Sequence, residues 1–248
     1  MKDNQLHIRF YADSLGLPRG EEILNDQRYI SLLCNHWKEK TNSELFLLDR
    51  ARGNHKIREI LKWLNEDIRY FGNKAEFIIL QVGIVDCAPR PIPNYLRNII
   101  SRLPRVLRSF AINFLHNNRA RIQNFGIKYY YTSTEDFKEL YSQFVESASK
   151  CAKKVFLVNI APTNKKTENK SPGLSESIVK YNDIIKEIVG NHKGENVYYV
   201  DIYSEIKKHN NIDKYITIED GHHITIEGHE LYAKEILKLD QEADFENI

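Results

Sequence analysis

The sequence predicts an α/β fold built on a parallel sheet, and two observations carry that prediction. Five short apolar runs, rich in β-branched and aromatic residues, are each closed by Gly, Pro or Asp, which favours strands over helices. Their apolar residues are nearly continuous rather than alternating, as expected of strands covered on both faces. Between the runs lie stretches with helical spacing, and strands alternating with helices argue for a layered α/β sandwich.

Taken in order, the first run is His7 to Ala12, which stops at Asp13-Ser14-Leu15-Gly16 and a Gly/Pro-containing loop to Gly20. A helical pattern follows from Glu21 to Trp37. The second run, Glu44 to Asp49, leads into Arg50-Ala51-Arg52-Gly53-Asn54, and a helix is expected from Lys56 to Tyr70. The third run, Ala75 to Val82, enters Gly83-Ile84-Val85-Asp86. Phe137, Leu140, Phe144, Ala148 and Cys151 recur at steps of three and four and form one apolar helical stripe. The fourth run, Val155 to Ile160, meets Ala161-Pro162-Thr163. Ile178, Tyr181, Ile185 and Ile188 then mark a helix whose expected cap is Ser175. The fifth run, Val197 to Val200, ends at Asp201. A last helix is expected from Gly228 to Leu239 with Tyr232, Ile236 and Leu239 inward, and Gln241 to Ile248 reads as a frayed tail.

One segment interrupts this rhythm. From Ala88 to Thr134 the chain has no Asp or Glu but carries Arg90, Arg97, Arg102, Arg105, Arg108, Arg119, Arg121 and Lys128, interleaved with Tyr95, Ile99, Leu103, Val106, Phe110 and Phe114. The plain expectation is a solvated helical insertion that packs its apolar side on the sheet. The functional alternative is an insertion over the site edge that meets an anionic ligand, a membrane surface or a partner. Nucleic acid is not expected, because no recognised motif accompanies the charge.

Composition sets the remaining bounds. With 248 residues, 42% hydrophobic and 28% charged, the chain can form one sizeable core, and it is read as one domain over 1–248 with an insertion at about 88–134. A net charge of +2 excludes nothing by itself. Cys34, Cys87 and Cys151 are too few and too scattered for a disulfide framework or a zinc site. No leader-like start and no run approaching the ~20 apolar residues of a span point to a cytoplasmic protein.

A serine at the carboxyl end of a strand lies where open α/β sheets bind ligands. To act as a nucleophile it needs a base and an acceptor that orients the base. Asp220-Gly221-His222-His223, just ahead of the last helix, offers an acid three residues before a histidine. Metal binding by His222, His223 and His229 is the competing reading, disfavoured because His223 and His229 straddle a loop-to-helix boundary; His229 is read as a packing or capping histidine. Asp13 is expected to accept backbone N–H bonds that hold the serine loop.

Together, Asp13-Ser14-Leu15, Gly53, Gly83 to Asp86 and Asp220/His223 resemble, in order, the GDSL, Gly, GxND and DxxH blocks of the SGNH or GDSL hydrolases. The resemblance spans the chain through four short blocks. It implies a flavodoxin-like three-layer α/β/α sandwich with a mainly five-stranded parallel sheet. It also implies Ser14 as nucleophile, His223 as base and Asp220 as its orienter, with Ser14 and Gly53 N–H groups in the oxyanion hole and no cofactor or metal. Two positions depart from the pattern. Ala12 replaces the first glycine, and Val85 stands where the family has the asparagine that completes the oxyanion hole. Either another donor, such as Asn54 or Arg90, substitutes, or the protein is a weak or altered catalyst; Asp86 and Arg90 begin a loop expected to contact substrate, with Arg90 either holding a carboxylate or phosphate or tying down the Pro-rich loop. The expected activity is serine-dependent hydrolysis of O-acyl, above all O-acetyl, groups on a carbohydrate or another small acylated substrate. An O-acyltransferase with the same residues, or a non-catalytic domain that binds a glycan or partner, is the alternative.

Overall fold

The computed structural model describes residues 5–20, 22–217 and 219–245. Its centre is a five-stranded, wholly parallel sheet of β1 (Gln5–Ala12), β2 (Glu44–Ala51), β3 (Ala75–Gln81), β4 (Ala152–Val158) and β5 (Val197–Val200), in the order β2-β1-β3-β4-β5. The three inner strands are buried on both faces towards their carboxyl ends, which is why their apolar residues run without alternation. The edge strands β2 and β5 are only half buried, having a neighbour on one side alone. β4 begins three residues earlier than its apolar run. Lys153 and Lys154 hide that start, because they pair with Glu76 and Asp240 at the sheet's amino edge.

The helices that flank the sheet are α1 (Tyr29–Thr41), α2 (Ile57–Phe71), α7 (Thr134–Ser149), α9 (Leu174–Asn191) and α11 (Ile226–Phe245). α1 packs against α11, while α7 packs against α2 and α9. Right-handed crossovers put these two groups on opposite faces. The α1/α11 side is keyed by Trp37, whose ring stacks on Phe77 at 4.0 Å and whose Nε1 donates to Asp240 at 3.1 Å. The other side is keyed by the buried stripe of Phe137, Phe144 and Ala148 on α7.

Several boundaries differ from the sequence reading. The helix expected from Glu21 begins at Tyr29; Glu21 itself lies outside the described residues. A bridge between Arg19 and Ile23 and a single 3-10 turn at Asn25–Gln27 occupy the interval. Ser175 does not cap α9. The helix starts after Gly173, which adopts φ 86°, and the carboxylate of Glu168 takes the N–H groups of Gly173 and Ser175, each at 2.7 Å. The expected frayed tail is helical through Phe245, with Ala243 buried; residues 246–248 lie outside the described part.

After α3 (Ile84–Cys87), the basic segment forms α4 (Asn94–Ser101), α5 (Arg105–Asn117) and α6 (Arg119–Asn124). Its base is closed where Arg90 and Tyr129 exchange backbone hydrogen bonds of 2.7 and 3.0 Å. The expectation that its apolar side packs on the sheet fails. No residue of α4 or α5 is buried, and Val106, Leu107, Phe110 and Phe114 are 79%, 56%, 73% and 56% exposed. Helical periodicity reveals that a face is apolar, not that anything covers it. The remaining helices, α8 (Lys165–Lys170) and α10 (Ile202–Lys207), follow β4 and β5. Among the described residues no helix is long and apolar enough to cross a membrane.

Candidate active site

The strand order reverses between β1 and β3, since β1 has β2 on one side and β3 on the other. Ligands of open α/β sheets bind in the crevice beyond the carboxyl ends at such a point. Ser14 follows β1 and opens a one-turn 3-10 helix, Ser14–Gly16. As the first residue of that turn, its N–H has no partner within the turn. Asp13 holds the turn: its Oδ1 accepts from Leu15 N at 3.0 Å and from Gln81 Nε2 at 3.2 Å. Asp13 is fully buried, and burial raises its carboxyl to about 7. Gly16 completes the turn because a Cβ there would lie 2.6 Å from Ala12 Cβ and 2.8 Å from Phe10.

The loop from Asp220 to His223 faces Ser14 across the crevice. It turns at Gly221, with φ 67°, where a Cβ would overlap Asn164 and Thr167 at 2.1 Å. The Gly221 carbonyl accepts from Thr163 Oγ1 at 2.7 Å and from Asn164 N at 3.3 Å, which ties the loop to the segment between β4 and α8. The structure brings three of the sequence-selected residues into one line. His223 Nε2 lies 3.0 Å from Ser14 Oγ, and His223 Nδ1 lies 2.7 Å from Asp220 Oδ2.

Asp220 is saturated with donors. Oδ1 accepts from Thr217 Oγ1 (2.7 Å), His223 N (3.0 Å) and His222 N (3.2 Å), and Oδ2 also meets Arg19 Nη1 at 3.1 Å. Partial burial disfavours its charge, but the Thr217 hydroxyl, the His223 N–H and the imidazole outweigh it and hold the carboxyl well below the usual carboxylate range. His223 is lowered from 6.5, first by burial and then by His222, with Asp220 opposing. A neutral imidazole with its Nδ1 proton on Asp220 leaves Nε2 free to accept from Ser14. Asp220, His222 and His223 also present ligand atoms within 4.8 Å of one another, but a cation there would displace the bond between Asp220 and His223. His229 stays apart from them. It is buried, accepts from Tyr29 N at 3.2 Å at the start of α1, and burial lowers it to about 3.

A cavity of about 590 Å³ opens beside Ser14, lined among others by Asn54, Val85, Arg90, Arg119 and His222. This is within the range of small-ligand sites, ~300–1,000 Å³. Asn54 has a left-handed backbone, φ 62°, which turns the chain after β2 towards the cavity. Gly53, just before it, is exposed. Val85 puts an apolar residue on the wall at the position where the GxND block has its asparagine. Asp86 does not reach the cavity. It is fully buried beneath it, accepting from Thr132 Oγ1 at 2.5 Å and from Ile57 N at 3.3 and 3.4 Å, so the expectation that it contacts substrate does not hold. Sequence reasoning did not select Arg19, Thr217 or Arg119. Arg19 and Asp220 are 201 residues apart, and no local pattern signals their pairing.

Residues 42–236 match the model of the GDSL-like lipase/acylhydrolase family. The chain belongs to that family. The match contains Gly53, Asp220 and His223, while Ser14 precedes it. No curated protein sequence matches the chain significantly. Similar solved structures include the lipase/acylhydrolase from Enterococcus faecalis (14% identity, TM-score 0.61, covering 94% of each chain). They also include an acetylxylan esterase of Geobacillus stearothermophilus (12% identity, TM-score 0.59, covering 94% of this chain and 93% of that one). A third is a lipolytic protein of the G-D-S-L family from Veillonella parvula (13% identity, TM-score 0.57, covering 94% and 97%). At these identities the structures establish a shared fold.

Proposed function

We propose that this GDSL-family protein is a serine-dependent acyl-ester hydrolase in which Ser14 is the nucleophile, His223 the general base and Asp220 its orienter. The observation that carries this reading is the hydrogen-bonded line Ser14–His223–Asp220, at 3.0 and 2.7 Å. Ser14 Oγ attacks the ester carbonyl as its proton passes to His223 Nε2, and the imidazolium is stabilised by Asp220. The proton then goes to the departing alcohol oxygen and an acyl-enzyme remains on Ser14. Water, deprotonated by the same imidazole, releases the acid. The N–H groups of Ser14 and Gly53 are the backbone donors assigned to the oxyanion, with the Asn54 amide standing in for the absent asparagine.

For the substrate we favour a small O-acyl group, acetyl first, on a sugar-sized alcohol. A cavity of about 590 Å³ whose mixed wall sets Asn54, Arg90, Arg119 and His222 beside apolar side chains supports this choice. The likeness to an acetylxylan esterase agrees with it without deciding the sugar. The test is p-nitrophenyl acetate hydrolysis by wild type and Ser14→Ala, with fluorophosphonate labelling located by mass spectrometry. Loss of more than ~10³-fold in Ser14→Ala and a label on Ser14 are expected. Equal rates, or a label elsewhere, overturn the assignment.

A further inference from the structure

Arg90 and Arg119 bring an unusual amount of unpaired positive charge into the cavity wall. Burial lowers both guanidinium groups to about 10, Arg97 adding to the effect at Arg90 and Arg90 itself at Arg119. The Nε atoms of both are buried without a hydrogen-bond partner. Neither arginine forms an ion pair among the described residues, and the sequence from Ala88 to Thr134 offers no acid to form one. Arg119 spends Nη2 on neutral acceptors, the Pro89 carbonyl at 2.8 Å and Ser171 Oγ at 2.7 Å. Arg90 lies over the Tyr131 ring at 4.6 Å, a ring it shares with Arg97 and Lys56. Lys170 extends the same lining. Two carboxylates also border the cavity: Asp220, already committed to His223 and Arg19, and the exposed Glu219.

Arginine is rarely buried unless paired, because desolvating the charge is costly. Here two, half-buried and without an ion pair among the described residues, line one cavity with Ser14. The cost is offset when an oxyanion enters and accepts from both planar forks, a geometry that suits carboxylate and phosphate. We propose that the cavity beside Ser14 holds an anionic group, a carboxylate or a phosphate, carried by the molecule whose ester Ser14 reaches. That this molecule is a substrate rests on the hydrolase reading above; that the cavity selects an anion does not. A structural role alone, with Arg119 merely pinning the Pro89 loop, would affect stability and leave charge selectivity absent.

The experiment is calorimetric titration of Ser14→Ala with glucuronate, glucose 6-phosphate and glucose, beside p-nitrophenyl acetate turnover by wild type. At least one anionic ligand is expected to bind ~10-fold or more tighter than glucose, less so at high salt. The carboxylate and phosphate arms tell which anion the site takes. Arg119→Gln and Arg90→Lys are expected to bring the anion-to-glucose ratio towards one. Lys170→Gln, at an exposed position, gives a smaller drop in the same ratio should the arginine variants not fold. Equal affinity for all three ligands, or no binding of any by folded protein, overturns the anion site. Turnover without anion preference removes this inference and leaves the hydrolase; anion binding without turnover removes the hydrolase and leaves this inference.

Discussion

Replacing Val85 with asparagine tests how the oxyanion is held. In the GDSL-family pattern an asparagine amide completes the hole, and losing one such donor costs ~10²–10³ in turnover, about 2.7–4 kcal/mol. Val85 lies in the first turn after Gly83 and lines the cavity, so an amide built there borders the same cavity as Ser14. The position was not shaped around an amide, and we expect only part of the deficit to return: a ~10-fold or greater rise in kcat on p-nitrophenyl acetate with KM nearly unchanged. Val85 is 8% exposed. Giving up its burial costs about 1.5 kcal/mol, which in a chain of this size lowers Tm by roughly 3–6 °C. Val85→Ala separates the effects, since it loses the burial without gaining a donor and should show no rise. Asn54→Ala should cut turnover by ~10² in the wild type and by clearly less beside Val85→Asn, because two donors to one oxygen are not additive. A folded Val85→Asn no faster than wild type, together with an Asn54→Ala that keeps full turnover, would refute this account of the hole.

Three further outcomes follow from the geometry. Because His223 must be neutral and is lowered from 6.5, kcat/KM should rise through a pKa below 6.5 and then level; Arg19 depresses His223 through space, so Arg19→Ala should move that limb to higher pH, and an unmoved limb would discount Arg19. Burial raises Asp13 and Asp86 from 3.8 to about 7, so between these values the folded chain binds protons the unfolded chain has lost, and stability should fall as pH rises from about 4 to 7. Asp86→Asn should flatten that slope in urea denaturation, whereas Asp220, lowered rather than raised, acts below this window. Gly16→Ala, whose Cβ would sit 2.6 Å from Ala12 Cβ, should cost ~1–3 kcal/mol in thermal denaturation and lower turnover further by shifting Ser14.

The strands were legible because burial on both faces writes itself as an unbroken apolar run, and β4 lost its first residues only where lysines pair at the sheet edge. Ser14, Asp220 and His223 were legible because each sits at an element end marked by Gly, Asp or a short block. What local sequence could not carry is whatever depends on distant partners. The start of α9 is set by Glu168, whose carboxylate does the work expected of Ser175. Asp86 reads as a site acid until Thr132 and the start of α2 are seen to enclose it. Arg119 reads as one of many basic residues until Pro89 and Ser171 fix its guanidinium in the cavity wall.

The unburied state of α4 and α5 has a consequence for how the molecule opens. A segment that lends no side chain to the core adds little to the free energy that protects its own amides. Hydrogen exchange should therefore divide the chain into two tiers, with β1, β3 and β4 exchanging only on global unfolding and residues 94–117 through cheap local excursions. Asn117, at the end of that soft tier, also lines the cavity, so faster exchange there should leave the protection of the strands that carry Ser14 unchanged.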